Sequence, residues 1–497
     1  MPTLKSVRFR FFHVLVPRLF LSLLLLLPYP AYSLDIELPD MGDPADTLMT
    51  PAAEKRLGRA FIRNLKNRQR FIEQPVYEDY LQSLGKRIAS NSDNPGRHFQ
   101  FHLIDSHVIN AFAAPDGQIG INTGLILTSE SESELAAVLA HEVAHVTQKH
   151  LMRTFYRAQQ MSIPAAVAML AAVLVGVSGG GAQIGSAAMT GIQAGMLQDR
   201  INYTRHNEEE ADRLGMATLS KSKFDPRAMP AFFGRMAKAN QAYSSKLPEL
   251  LRTHPVTTNR IGDSLGRASR YPYKQRKENI RYHLLRAWLK MRSFSQPSKA
   301  IKHFKSSLRD GRYRNKEAQE YGYALALMQK RAYGDARPIL ARLLAKRPRT
   351  IEYRIALANL DALNGRTGQA LQTIATGRKA LPRNKPLAIK QAELYKKRRN
   401  HKRSAKILFR LTKNHPNDAR LFLKLSRAEA KSGKRADAHA AMAEHYYLEG
   451  QLKSAIQQLE TALRQSSLSD FQAAKFAARL KNIKREYVEL ENLRKNR

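Results

Sequence analysis

From residue 54 to about residue 92 the apolar side chains fall at helical spacing, with Leu57, Phe61 and Leu65, then Tyr80, Leu81, Leu84 and Ile88, and they predict two helices. The pattern then alternates. "FQFHLIDS" (99–106) and "GQIGINTGLIL" (117–127) are rich in strand formers, with Pro115-Asp116-Gly117 as a turn between them, so a small sheet is expected. Helical spacing returns after a run of Ser and Glu, where Ser131 or Ser133 is the expected N-cap of a helix through "LAAVLAHEVAHVTQKH". Residues 161–198 then hold no charge across 38 positions. Their continuous apolar part, 164–177, is 14 residues long, short of the roughly 18 to 20 that cross a bilayer. It reads as a buried or membrane-grazing helix before a Gly-rich loop, with a lid over an active site as a further reading.

The second half repeats. Ala336, Ala370, Ser404 and Ala438 recur every 34 residues, and Pro348, Pro382 and Pro416 recur at the same interval, each proline 12 after a small residue. A 34-residue helix-turn-helix with a small residue where helices cross and a proline after the second helix resembles the tetratricopeptide repeat. At the other end, a basic stretch, the apolar "LFLSLLLLLPYP" and the small residues of "AYS" form an export signal over 1–33, with an uncleaved anchor as the alternative. The polar run at 266–279 marks the boundary, giving a first domain over 34–270, a linker over 271–295 and a repeat domain over 296–497.

Composition narrows the chemistry. Without cysteine there is no disulfide, no thiolate ligand and no thiol catalysis, so a metal site must use His, Asp and Glu. The net charge is +41, and the 50 basic against 17 acidic residues after residue 280 supply most of it. That balance asks for an anionic partner, either acidic polypeptide or an anionic membrane surface. Export argues against nucleic acid, and "KKRRNHKR" (396–403) falls at a turn between repeat helices without interleaved aromatics.

His141 and His145, four apart, stack on one helix face and can aim both imidazoles at one ion. Glu142, one position on, can reach a water on that ion and take its proton. Two histidines and a carboxylate around Zn²⁺ leave a fourth position for that water, so a distant Asp or Glu is required. "NYTRHNEEEADRLG" (202–215) offers Glu208, with Asp212 one turn later able to accept the free N–H of a zinc histidine. Glu209 and Glu210 point elsewhere, as solvent-facing or helix-N-terminal charges. His254, before Pro255, has extended backbone suited to presenting a side chain into a cleft. Three roles are open to it: stabilising an oxyanion, occupying the fourth zinc position as a self-inhibitory ligand, or none.

HEVAH, "NEEEADRLG" and "THP" followed by Arg260-Ile261 together resemble the gluzincin metallopeptidases. With an export signal and C-terminal repeats, the resemblance extends to the envelope branch of that family, covering nearly the whole chain. It implies a mainly α protein, with an α+β zincin-like peptidase domain containing a small sheet and then an all-α tetratricopeptide-repeat solenoid. It implies one Zn²⁺ per chain held by His141, His145 and Glu208, with Glu142 as general base. It also implies a periplasmic endopeptidase acting on unfolded or misassembled outer-membrane proteins beside their assembly machinery. Residues 117–123 read equally as an ordinary core strand or as a free strand edge that receives an extended substrate, and the resemblance favours the edge. The competing reading is a non-proteolytic chaperone or scaffold that works through its repeats and has a structural metal.

Overall fold

A computed structural model describes residues 50–157, 193–242, 249–272, 277–466 and 468–495. The expected export signal (1–33) and the apolar segment 164–177 lie outside them.

Helix α1 (Pro51–Arg68) starts at Pro51, with the Thr50 hydroxyl accepting from Ala53 N–H at 3.3 Å, and buries Leu57, Phe61 and Leu65. Helix α2 (Pro75–Ala89) buries Tyr77, Tyr80, Leu81 and Leu84. Strands β1 (Gln100–Ile104), β2 (Ala111–Ala114) and β3 (Gln118–Asn122) form a sheet in the order β1-β3-β2. β3 runs parallel to β1 and antiparallel to β2. The Pro-Asp-Gly turn therefore joins β2 to β3 in a hairpin, and does not join the two runs that alternate in sequence. It is built on Asp116 (φ 60°) and Gly117 (φ 64°), where an added Cβ would stand 1.9 Å from the carbonyl oxygen of His98. The expected strand over 117–127 stops at Asn122, and a short helix α3 (Thr123–Thr128) follows. Here Gly124 N–H and the Thr123 hydroxyl both donate to Ser106 O.

Helices α4 (Glu132–Thr147), α5 (His150–Arg157), α6 (Gln193–Lys221), α7 (Ala228–Ala242), α8 (Glu249–Thr253) and α9 (Thr258–Ser269) complete the first half. The segment expected as a linker, 271–295, carries helix α10 (Ile280–Arg292). Tyr282, Leu285 and Trp288 of α10 are buried, Tyr282 Oη donates to Ser129 O at 3.0 Å, and Trp288 lies 4.4 Å from the Tyr77 ring.

The repeats follow as helix pairs. After α11 (Pro297–Arg309) come α12 (Lys316–Gln329) with α13 (Tyr333–Lys346), α14 (Ile351–Leu363) with α15 (Thr367–Ala380), and α16 (Lys385–Lys397) with α17 (His401–Asn414). Next are α18 (Ala419–Lys431) with α19 (Arg435–Leu448) and α20 (Leu452–Leu463) with α21 (Asp470–Lys495). Ala336, Ala370, Ser404 and Ala438 are buried near the start of the second helices, and Pro348, Pro382 and Pro416 stand two residues beyond their ends. The turn inside a pair is left-handed at Arg331, Gly365, Arg399 and Gly433, again 34 residues apart.

One apolar core runs without interruption from Ile72 to Leu394. Polar contacts tie the inner helices of the solenoid to the first half. Tyr77 Oη meets Tyr321 Oη at 2.9 Å, Arg281 of α10 bridges Glu352 (2.6 Å) and Asp79 (3.1 Å), and Arg420 of α18 grips both carboxylate oxygens of Glu78 at 2.7 Å.

Candidate active site

Helix α4 opens at Ser131, whose hydroxyl accepts from Glu134 N–H at 3.1 Å, and it is buried along almost its whole length. A central helix of this kind cannot shift or turn without repacking the core, so His141 and His145 are held rigidly. Helix α6 crosses it at Gly215, where an added Cβ would meet His141 N and Cα at 3.1 Å. Asp212 and Glu208 lie three and seven residues before that glycine, on the same face. The close approach at Gly215 therefore brings both carboxylates to the histidines.

One donor atom each from His141, His145, Glu208 and His254 lies within 4.8 Å of the others. His141 Nε2 is 3.0 Å from His145 Nε2 and 3.3 Å from His254 Nδ1. Glu208 oxygens stand 3.4 Å from each of the first two imidazoles and 2.9 Å from His254 Nδ1. Ligand atoms about 2.0–2.1 Å from a tetrahedral zinc are about 3.3 Å from one another, so these separations suit a cation of that size. The electrostatics agree. Burial depresses the pKa of His141, but Asp212 and Glu208 outweigh it and raise it to about 10, so the cleft favours positive charge at that point. Burial, aided by the charge of His141 and His254 and opposed by Glu208, carries His145 down to about 3, leaving that imidazole neutral. Glu208 stays well below the usual carboxylate range because His254 and His145 overcome the effect of its burial.

Glu142 is buried beside this cluster, with one oxygen 3.5 Å from His254 Nε2 and, among the described residues, no side-chain hydrogen bond to either oxygen. Burial raises its pKa against the pull of His254 and His141. Asp212 stands 3.0 Å from His141 Nδ1 and is gripped by Arg260, whose Nε and terminal nitrogen donate to it at 2.7 and 2.8 Å. The other terminal nitrogen of Arg260 donates to Pro255 O at 2.7 Å and stands 3.0 Å from Glu208, so one guanidinium links the carboxylates to the segment that carries His254. That segment is anchored by buried Leu250 and Leu251, and by Leu250 N–H donating to Ile109 O at 3.1 Å.

Two expectations need correction. Residues 117–123 are not a free edge, because β1 and β2 cover β3 from both sides. On that side of the sheet the outer strand is β2, packed against α4. Asn122 N–H donates to Asn110 O, so by the antiparallel alternation Ala111 and Ala113 turn their backbone groups away from β3. Glu210 is only partly solvent-facing and is far from a helix start, since α6 begins at Gln193. It stands 3.1 Å from His150 Nε2, and His150 Nδ1 is 2.8 Å from His145 Nδ1. His150 reaches back because the chain turns through a left-handed Lys149 (φ 54°), which no glycine or asparagine signals in sequence. Glu209 is exposed, as expected.

A histidine pair and a glutamate from another helix, with a buried second glutamate in reach, define a metallopeptidase. Residues 75–267 match peptidase family M48, and the chain belongs to that family. Beyond the peptidase domain, it is 34% identical over 452 residues to the β-barrel assembly-enhancing protease of Escherichia coli K12, covering 90% of this chain and 91% of that one. It is 31% identical over 448 residues to the protein of the same name in Yersinia pestis, covering 90% and 92%. The mitochondrial metalloendopeptidase OMA1 of Bos taurus is 34% identical over 182 residues, covering 35% of this chain and 34% of that one.

Proposed function

We propose that the protein is a zinc endopeptidase, exported to the periplasm, that degrades misassembled outer-membrane β-barrel proteins and also assists their assembly as a chaperone. The convergence of His141, His145 and Glu208 beside a buried Glu142 carries the chemistry. The substrate class rests on the names of the relatives that match along 90% of the chain.

His141, His145 and Glu208 would hold a divalent cation, which would supply Lewis-acid polarisation of a carbonyl and a water of lowered pKa. Glu142 takes the proton of the attacking water and passes it to the leaving amine, and the burial that raises its pKa suits it to both steps. Asp212, fixed by Arg260, keeps the proton of His141 on Nδ1 and its Nε2 lone pair free. Backbone groups of Ala111 and Ala113 on the outer edge of β2 receive the extended client. His254 would act as a self-inhibitory fourth ligand of that cation. What supports this is its Nδ1 among the ligand atoms and its Nε2 facing the base.

The test is metal analysis of the purified protein beside casein digestion, with and without chelator. Glu142→Gln abolishes cleavage and leaves zinc and client binding intact. His254→Ala raises proteolysis markedly, and an unchanged or lower rate ends the inhibitory reading. If client assembly in cells is indifferent to Glu142→Gln, the scaffold reading with a structural metal takes over.

A further inference from the structure

We propose that the outer face of the solenoid around α17 docks on an anionic bilayer through lipid phosphate headgroups, a surface that rests on the envelope location proposed above. Residues 362–417 hold fifteen lysines and arginines and a single acid, Glu393, which is itself held by Lys390 (2.6 Å) and Lys424 (3.1 Å). Elsewhere along the solenoid acids are interspersed among the basic residues and answer several of them, Arg347 by Glu317 at 2.6 Å, Arg479 by Glu444 at 2.7 Å and Lys484 by Glu460 at 2.7 Å. An ordinary solvated surface mixes its charges in that way. The stretch around α17 does not.

Along α17, Lys402, Lys406, Phe409 and Lys413 follow one another at steps of four, three and four, which puts them in one stripe, with Arg410 beside it. All five are exposed, and among the described residues none of the four cations has a carboxylate at ion-pair distance. Phe409 is 43% exposed in the middle of the stripe, with Lys413 Nζ 4.8 Å above its ring. At the end of the stripe, Arg378, Arg383, Arg410 and His415 line a cleft with no acid among its described lining residues. Among the described residues, Arg378 Nε is buried there without an acceptor.

The choice of a bilayer over an acidic peptide follows from where the stripe lies. A helical-repeat solenoid takes extended peptide on its inner face. Here inner helices α14 and α18 are committed to the peptidase half through Glu352 and Arg420. The outer stripe is an open helix face with like charges spread along it and one protruding aromatic ring. A plane of headgroups meets such a face, with phosphates against the cations and Phe409 at the acyl boundary.

The test is co-sedimentation of the full chain with vesicles of phosphatidylglycerol and phosphatidylcholine, against vesicles of phosphatidylcholine alone. The expected result is binding to the anionic vesicles only, with release by salt. At about 1 kcal/mol per surface cation, the triple variant Lys402→Gln, Lys406→Gln, Arg410→Gln binds about a hundredfold more weakly. Casein cleavage by that variant is unchanged. Glu142→Gln binds vesicles as the parent does, so loss of the peptidase reading and loss of this one are separate outcomes. Equal binding to both vesicle types, or a triple variant that binds normally, overturns the proposal. So does a parent protein that ignores vesicles but is captured by polyglutamate, which makes the stripe a site for acidic polypeptide.

Discussion

His150 gives the sharpest test of how the metal site is held. For His145 to present a free Nε2 lone pair, its proton must sit on Nδ1, which is 2.8 Å from His150 Nδ1. His150 then accepts at Nδ1 and donates from Nε2 to Glu210, 3.1 Å away, and Arg153 stands 3.6 Å from the same oxygen. Every proton in this chain has one position. Replacing His150 with Ala leaves the buried Nδ1–H of His145 without its acceptor, a cost of about 1–3 kcal/mol. Since the loss falls on the form that binds metal, affinity drops by about ten- to a hundredfold, the range seen when such supporting partners are removed. Glu210→Gln still offers His150 an amide oxygen and costs about tenfold or less. The double variant is no worse than His150→Ala alone, because the amide then has nothing to orient. The assay is zinc competition with a chromogenic chelator, alongside melting temperature with the chelator in excess. A His150→Ala protein that holds zinc like the parent, or two losses that simply add, refutes the relay.

Gly215→Val drives a branched side chain into the His141 backbone and separates Glu208 from the histidines. The expected outcome is a folded protein without stoichiometric metal, read by elemental analysis and circular dichroism. Arg260→Met leaves Asp212 and Glu208 as neighbouring buried carboxylates, at a cost of about 3–5 kcal/mol. A bound cation offsets part of that repulsion, so the fall in melting temperature is larger with chelator than with zinc, and equal falls contradict it. His102 is held down to about 4, first by burial and then by Lys66 and Arg420, against a pull upward from its Gln118 bond. Between its unfolded value near 6.5 and about 4 the unfolded chain takes up a proton that the folded one refuses, so stability is full above about 6.5 and falls as pH drops towards 4. His102→Gln flattens that part of the melting-temperature profile. Arg420→Met frees Glu78 and loosens α18 from α2, and amide exchange rises in both helices while α19 to α21 keep their protection.

The residues that sequence reasoning reached are those whose partners are fixed by helical period. His141 and His145, Glu208 and Asp212, and the small residues and prolines every 34 positions all follow from spacing along a regular element. What it missed depends on where the chain crosses itself. That β3 is central and β2 lies outside is a matter of strand order, and the alternation of 99–106 and 117–127 is the same for either order. Gly215 looks like any glycine in a polar helix until α4 lies against it. His150 needs a left-handed lysine, and the buried α10 reads as a connector because the polar run before it ends so close to its start.

Charge follows one rule at both ends of the molecule and gives opposite results. In the cleft, Glu142, Glu208 and Asp212 are buried, and among the described residues Arg260 is the one fixed cation paired with them, so the rest of the balance falls on the imidazoles. The deficit raises His141 to about 10 and makes the site a receptor for positive charge. On the outer solenoid the fixed charges are positive and Glu393 is already spoken for, so the deficit there is of anions. A buried imbalance is settled by a small ion of matching geometry, whereas an exposed one is screened unless a dense anionic surface meets it. The first is therefore insensitive to ionic strength and the second is not. Zinc retention that holds across a salt titration while vesicle binding collapses separates the two.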